Sequence, residues 1–207
     1  MPIWIPTPKW KGQDVFIIGG GKSLEYFDWN LLKDERTIGC NDAYLHGSDI
    51  CKICLFGDSK WFKLHRDRLA EYKGVIFTNV GRLYNIELDW VWSMKRMATG
   101  IHSDALGWNF NTGASAINLA VLLGASKIYL LGFDMHLTDG KNNWHENPLD
   151  KPNSDIFTNF NNGFKCVAKD MKAKFPDVKI VNVTDKSSLH LFPKKGVKEF
   201  WDERKRA

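Results

Sequence analysis

Nowhere in the 207 residues does an apolar run approach the ~20 residues that a membrane-spanning helix needs. The opening stretch, Met1-Pro-Ile-Trp-Ile-Pro-Thr-Pro8, has no basic segment leading into an apolar core, so no secretory signal is expected and residence is expected to be cytoplasmic. Cysteine is scarce, at Cys40, Cys51, Cys54 and Cys166. Cys51 and Cys54 have C-x-x-C spacing, but no second pair completes a zinc site, and buried reduced thiols are the expectation. Two common nucleotide motifs are each short of a glycine. A P-loop ending at Gly21-Lys22-Ser23 would need its first glycine at Phe16, and a dinucleotide fingerprint would need its third at Leu24. There is no D-x-D motif, and Asp134 with Asp139 does not make a magnesium site, so no metal centre is expected. Internal repeats and low-complexity segments are also absent.

What is present begins with Val15-Phe-Ile-Ile-Gly-Gly-Gly-Lys-Ser-Leu24. A short apolar run, three glycines and a helix-compatible segment form the usual arrangement for bringing backbone N–H groups against a phosphate. Glycine permits the close approach because no Cβ intervenes. A nucleotide or another phosphate-bearing ligand is therefore the first expectation.

Apolar runs alternate with segments of helical period. Strands are expected at Asp14–Ile18, Arg36–Cys40, Ile50–Phe56, Val75–Thr78, Lys127–Leu131 and Lys179–Val183. Helices are expected at Leu24–Leu32, with Ser23 as N-cap, and at Ser59–Tyr72, Thr112–Leu123, Phe157–Phe175 and Val197–Lys205. Residues from about 80 to 110 show no clean period, and Trp90-Val-Trp92 within them is read as packing, with stacking on a sugar or base as the sharper alternative. The polar, Asn-rich run from about 136 to 152 is expected to be a lid loop. This alternation predicts one α/β domain, a mostly parallel sheet with helices on both faces. Ligands of such sheets sit beyond the carboxyl ends of the strands. That rim collects Gly19–Ser23, Asn41-Asp42, Gly57-Asp58-Ser59, Asn111–Ser115 and Gly132–His136.

The Gly-rich run, Cys40-Asn41-Asp42, and Asn111-Thr-Gly-Ala-Ser-Ala-Ile-Asn-Leu-Ala-Val-Leu-Leu-Gly-Ala-Ser-Lys-Ile-Tyr-Leu-Leu-Gly-Phe-Asp134 resemble two related groups. One is the bacterial sialyltransferases of the Campylobacter lipooligosaccharide type. The other is the MptE-like 6-hydroxymethylpterin diphosphokinase group. The likeness covers residues from about 14 to 135, with a weaker echo in Ile180–Phe192. It implies a Rossmann-like fold binding a nucleotide sugar. Gly19, Gly20, Gly21 and Ser23 would line the phosphate and ribose, Asn41 would stand at the nucleotide, and Thr112 with Gly113 near the base. Where those enzymes place a tyrosine on the phosphate, this chain has His136.

Sugar transfer needs a base for the acceptor hydroxyl and stabilisation of the departing phosphate. His136 and His145, in the polar loop, are the candidates, and Asp58 is a further carboxylate on the rim that could act as base. Asp134 is expected to hold structure or substrate. The function expected is a nucleotide-sugar-dependent glycosyltransferase acting on a hydroxyl of a glycan or of a hydroxymethylated DNA base, with the donor as substrate and no resident cofactor. The alternatives are an ATP- and magnesium-dependent diphosphotransferase of the pterin-kinase type and a non-catalytic nucleotide-binding module. The net charge of +5 is concentrated at the end, in Lys194, Lys195, Lys198, Arg204, Lys205 and Arg206. A solvated amphipathic tail helix explains it, and contact with a polyanion such as DNA is the sharper reading.

Overall fold

The computed structural model describes residues 1–83, 87–145 and 153–206. Among the described residues nine strands run as β1 Asp14–Ile18, β2 Arg36–Cys40, β3 Ile53–Phe56, β4 Val75–Thr78, β5 Trp92–Ser93, β6 Arg96–Met97, β7 Leu106–Gly107, β8 Lys127–Leu131 and β9 Lys179–Asn182. Four α-helices lie between and after them: α1 Ser59–Ala70, α2 Thr112–Leu122, α3 Ile156–Lys174 and α4 Val197–Arg204. Seven strands form one all-parallel sheet in the order β5-β4-β3-β2-β1-β8-β9, while β6 and β7 pair separately. The fold is α/β and Rossmann-like, with the parallel sheet that the alternating pattern predicts.

Strand residues point alternately to opposite faces, and the apolar runs use both. Val15 and Ile17 of β1 join Ile38, Ile53 and Leu55 in a core under α2 and α3. Phe16 and Ile18 face the other way, with Tyr129, Phe200 and Trp201, beneath α4. Cys54 and Phe56 meet Trp61, Phe62 and Leu69 of α1 on that second side. Runs without polar alternation are what a sheet covered on both faces requires.

From β1 the chain moves outward through β2, β3, β4 and β5. It then returns through α2 to lay β8 on the opposite edge of β1. The crossover connections therefore diverge at the carboxyl ends of β1 and β8, and this is the topological switch point at which such sheets open a crevice.

One expected helix is absent. Leu24–Leu32 holds two short 3₁₀ turns, Lys22–Leu24 and Trp29–Leu32, and Ser23 caps neither. Its amide and hydroxyl are held instead by Asp134, while Asp28 accepts from the Asn30 amide and restarts the chain as a separate turn. Cys51 also falls outside its expected strand, since β3 begins at Ile53; Cys40, Cys51 and Cys54 are buried and reduced, and burial raises the Cys51 thiol to about 11. Trp90 packs on Phe62, and Trp92 lies at the β5 edge.

The tail helix is a core element as much as a charged one. Phe200 and Trp201 are 7% exposed, and Trp201 stacks on Phe16 at 5.4 Å. Arg204 reaches back to Asp14 at 2.8 Å and Glu35 at 2.9 Å, its guanidinium 5.2 Å from the centre of the Phe16 ring. Lys195 pairs with Glu203, and Lys194 with the Ser187 carbonyl. Among the described residues no helix is long and apolar enough to cross a membrane.

Candidate functional site

A cavity of about 370 Å³ opens at the switch point. Of the residues singled out above, Gly19, Gly20, Gly21, Asn41, Asp58, Thr112, Gly113, Asp134 and His145 line it; Ser23 and His136 do not. Glycines, asparagines, carboxylates and His145 line it together with the aromatic residues Trp108, Phe110, Phe157 and Phe160. Phe157 and Phe160 lie one turn apart on α3, and Phe164, a turn further, closes the floor.

The Gly-rich loop is pinned from below. The Gly19 amide donates to Leu131 O at 2.7 Å and the Gly21 amide to Gly132 O at 2.8 Å. Asp134, 3% exposed, accepts from the Ser23 amide at 2.9 Å and the Ser23 hydroxyl at 2.5 Å. Glycine is required at Gly21 because a Cβ there would run into the Asp134 carboxylate and the Gly132 carbonyl. The loop's amides are thus largely spent on its own shape. No α-helix follows the loop, so its helix-dipole contribution is missing as well. α2, an 11-residue helix, begins at the cavity, and its first residues, Thr112 and Gly113, line it. Asn111 caps α2 by accepting from the Ala114 amide at 2.7 Å, which sets the helix's entry angle and leaves the first amides directed outward.

Asn41 follows β2 with φ of 50°, a left-handed conformation that asparagine tolerates better than most residues. Its Oδ1 lies 3.5 Å from the Thr112 hydroxyl. Phe110 at the cavity mouth also has positive φ, 60°, and leaves 47% of its surface exposed. For an aromatic residue this backbone is costly and is held by its surroundings.

Asp58 caps α1, its Oδ1 accepting from the Lys60 amide at 2.6 Å and the Trp61 amide at 3.2 Å. His136 turns away from the cavity. Its Nδ1 contacts the Asp134 carbonyl at 2.8 Å and the Ser188 hydroxyl at 3.3 Å.

The described part of the expected lid, 136–145, is folded down on the Gly-rich loop; the rest, 146–152, lies outside the described residues. A bridge between Thr138 and Lys141 turns the chain back. The Trp144 amide then donates to Gly20 O at 2.9 Å, and its indole N–H reaches Gly19 O at 3.4 Å. The Trp144 ring packs on His46 (4.6 Å) and Trp29 (5.8 Å). Asn143 covers Gly20, its Oδ1 2.5 Å from where a Cβ would stand.

Beneath the lid lies a group that pattern reading did not single out. Asp42, 2% exposed, follows Asn41 at the end of β2. Its Oδ2 is 2.8 Å from His145 Nδ1, its Oδ1 accepts from the Trp61 indole N–H, and His65 Nε2 lies 3.4 Å from Oδ1. Burial would raise the Asp42 carboxyl, but hydrogen bonding to His145 and Trp61 and the charges of both histidines outweigh it and hold it below its usual value. Burial lowers His65, and lowers His46 to about 4. His65 is further tied to the Tyr44 hydroxyl at 2.9 Å. No group among the described residues has the make-up of a metal site.

The chain matches no protein-family model and no curated protein.

Proposed function

We propose that the cavity is the site of a nucleotide-sugar-dependent glycosyltransferase, with His145 as the base. The observation that carries this reading is the Asp42-backed ring of His145 standing over Gly20 at the switch point. In the proposed reaction an acceptor hydroxyl attacks the anomeric carbon of the donor. The bond from that carbon to the phosphate oxygen breaks, and the nucleotide leaves with the bonding pair. The hydroxyl proton passes to His145. The amino end of α2 meets the diphosphate, the Gly-rich loop shapes the floor beside it, and Asn41 and Thr112 contact the ribose. Trp108, Phe110 and Phe157 offer aromatic faces on which a nucleobase could stack.

A thermal-shift panel of CMP, UDP, GDP and ATP with their sugar conjugates tests the assignment. A ligand at ~100 times its Kd stabilises by about 2.7 kcal/mol, which in a chain of this size raises Tm by roughly 5–11 °C. One nucleotide and its sugar conjugate are expected to stand out without added metal. A shift confined to ATP with magnesium favours the diphosphotransferase, and a shift without donor turnover favours a binding module. No shift with any member of the panel overturns the nucleotide site.

A further inference from the structure

We propose that Asp42 is the positioning residue that makes His145 a base, by fixing the ring hydrogen on Nδ1 and turning the lone pair of Nε2 toward the Gly-rich loop, with Trp61 setting the orientation of Asp42. The role rests on the glycosyltransferase reading, whereas the tautomer itself does not.

An ionised carboxylate only accepts hydrogen bonds, and a neutral imidazole donates from one nitrogen and accepts at the other. His145 Nδ1 lies 2.8 Å from Asp42 Oδ2, and a bare nitrogen lone pair that close to a carboxylate oxygen would be repelled, so the ring hydrogen is assigned to Nδ1 and the lone pair to Nε2. Nε2 is the ring atom on the Gly20 side, 3.5 Å from the point a Cβ of residue 20 would occupy. The carboxylate is fixed in turn. The Trp61 indole can only donate, and it donates to Oδ1. His65 Nε2 lies 3.4 Å from Oδ1, and its Nδ1 is 2.9 Å from the Tyr44 hydroxyl. Oδ1 thus faces α1, and Oδ2 faces the lid. Since α1 itself starts at the Asp58 cap, the lid histidine is referenced to the rigid sheet and helix rather than to its own loop.

The arrangement makes an unusual demand on an almost isosteric variant. In Asp42→Asn the amide must keep its oxygen toward the Trp61 N–H, because an NH₂ group there would oppose a donor. The NH₂ group then faces His145 Nδ1, which can only accept from it, and the ring hydrogen moves to Nε2. Trp61→Phe in the same chain removes the donor that holds the amide, so the amide is free to turn its oxygen to Nδ1.

Nitrogen-15 two-bond correlation spectra of the full chain at about pH 9, where imidazoles are neutral, read the tautomer directly, with the ring assigned by its loss in His145→Gln. Wild type is expected to show a protonated Nδ1 and an unprotonated Nε2. Asp42→Asn is expected to show the reverse, and Asp42→Asn with Trp61→Phe a return toward wild type. A wild-type ring protonated on Nε2, or an Asp42→Asn ring unchanged from wild type, overturns the proposal. The wild-type spectrum decides even if the variants fail to fold. Once a donor is in hand, Asp42→Asn should lower kcat by about 10²–10⁴-fold with donor KM nearly unchanged. The expected spectra with no nucleotide shift in the panel would retain the tautomer and discard the glycosyltransferase.

Discussion

Asp134→Ala tests whether the Gly-rich loop owes its shape to one carboxylate. Asp134 is 3% exposed and accepts two hydrogen bonds from Ser23, at 2.9 Å from the amide and 2.5 Å from the hydroxyl. Hydrogen bonds to a charged group contribute about 1.5–3 kcal/mol each. Ser23 is exposed, so water replaces the lost partner and the cost falls to the low end. Removing a buried carboxylate also relieves its desolvation. The expected loss is about 2–3 kcal/mol, or a Tm lower by about 4–12 °C in a chain of this size. Ser23→Ala, which loses only the hydroxyl bond, should cost about half as much. Differential scanning calorimetry gives the Tm. Hydrogen exchange should show protection falling at the Ser23 and Gly21 amides before it falls in β1. A Tm of Asp134→Ala within about 1 °C of wild type, with Ser23 still protected, would refute the loop-strut assignment.

Acid should destabilise the protein in two stages. His46, at about 4, and His65 are both depressed from 6.5, so the unfolded chain binds more protons below pH ~6.5 and stability falls as pH drops from there toward 4. For the half-buried His46 the loss is about 1–2 kcal/mol once solvent screening is allowed for. Asp42, depressed as a carboxylate, contributes above its unfolded value of 3.8 and loses that contribution as pH falls through its lower folded value. Tm measured from pH 8 to 3 should decline in that order, and His46→Phe should flatten the first stage; an unchanged first stage would exclude His46 as its source. Trp144→Ala should speed proteolysis within 136–145, because it removes the ring packed on Trp29 and His46, while the main-chain bond to Gly20 survives. Cleavage no faster than in wild type would show that the ring does not hold the lid. If DNA is the acceptor, charge should be removed at Lys198, Lys205 and Arg206 rather than by truncation, since Phe200 and Trp201 are part of the core. Changing all three to Gln should reduce the log–log salt slope of binding by up to about 2.7, and an unchanged slope would remove the tail from the interface.

The sequence alone determined the layers. Runs such as Val75–Thr78 and Lys127–Leu131 are too short for helices and too uniformly apolar for a one-sided sheet, and both are strands at those residues. The helix expected from Thr112 begins there, with Asn111 as its cap. Most of the rim followed, because a parallel sheet puts all its strand ends on one side. Local pattern misled where a distant group intervened. Gly-Gly-Gly-Lys-Ser-Leu reads as the entry to a helix, but Asp134, 111 residues away from Ser23, holds the Ser23 amide and hydroxyl and keeps that side chain from capping.

Asp42 was placed on the rim by the strand-end rule, but nothing in the sequence named its partners. Its partners come from α1 and from a loop about a hundred residues further on, and no spacing rule connects them. Only the tertiary structure decided that β8 returns to the side of β1, which opens the crevice there and brings His145 over Gly20. It also decided that His145 reaches a carboxylate while His136 turns to a backbone carbonyl. The physical reason is one of range. Periodicity and capping are set by neighbours within a turn or a strand, whereas the partner of a buried charge is set by whichever chain segment the packed sheet brings within hydrogen-bonding distance.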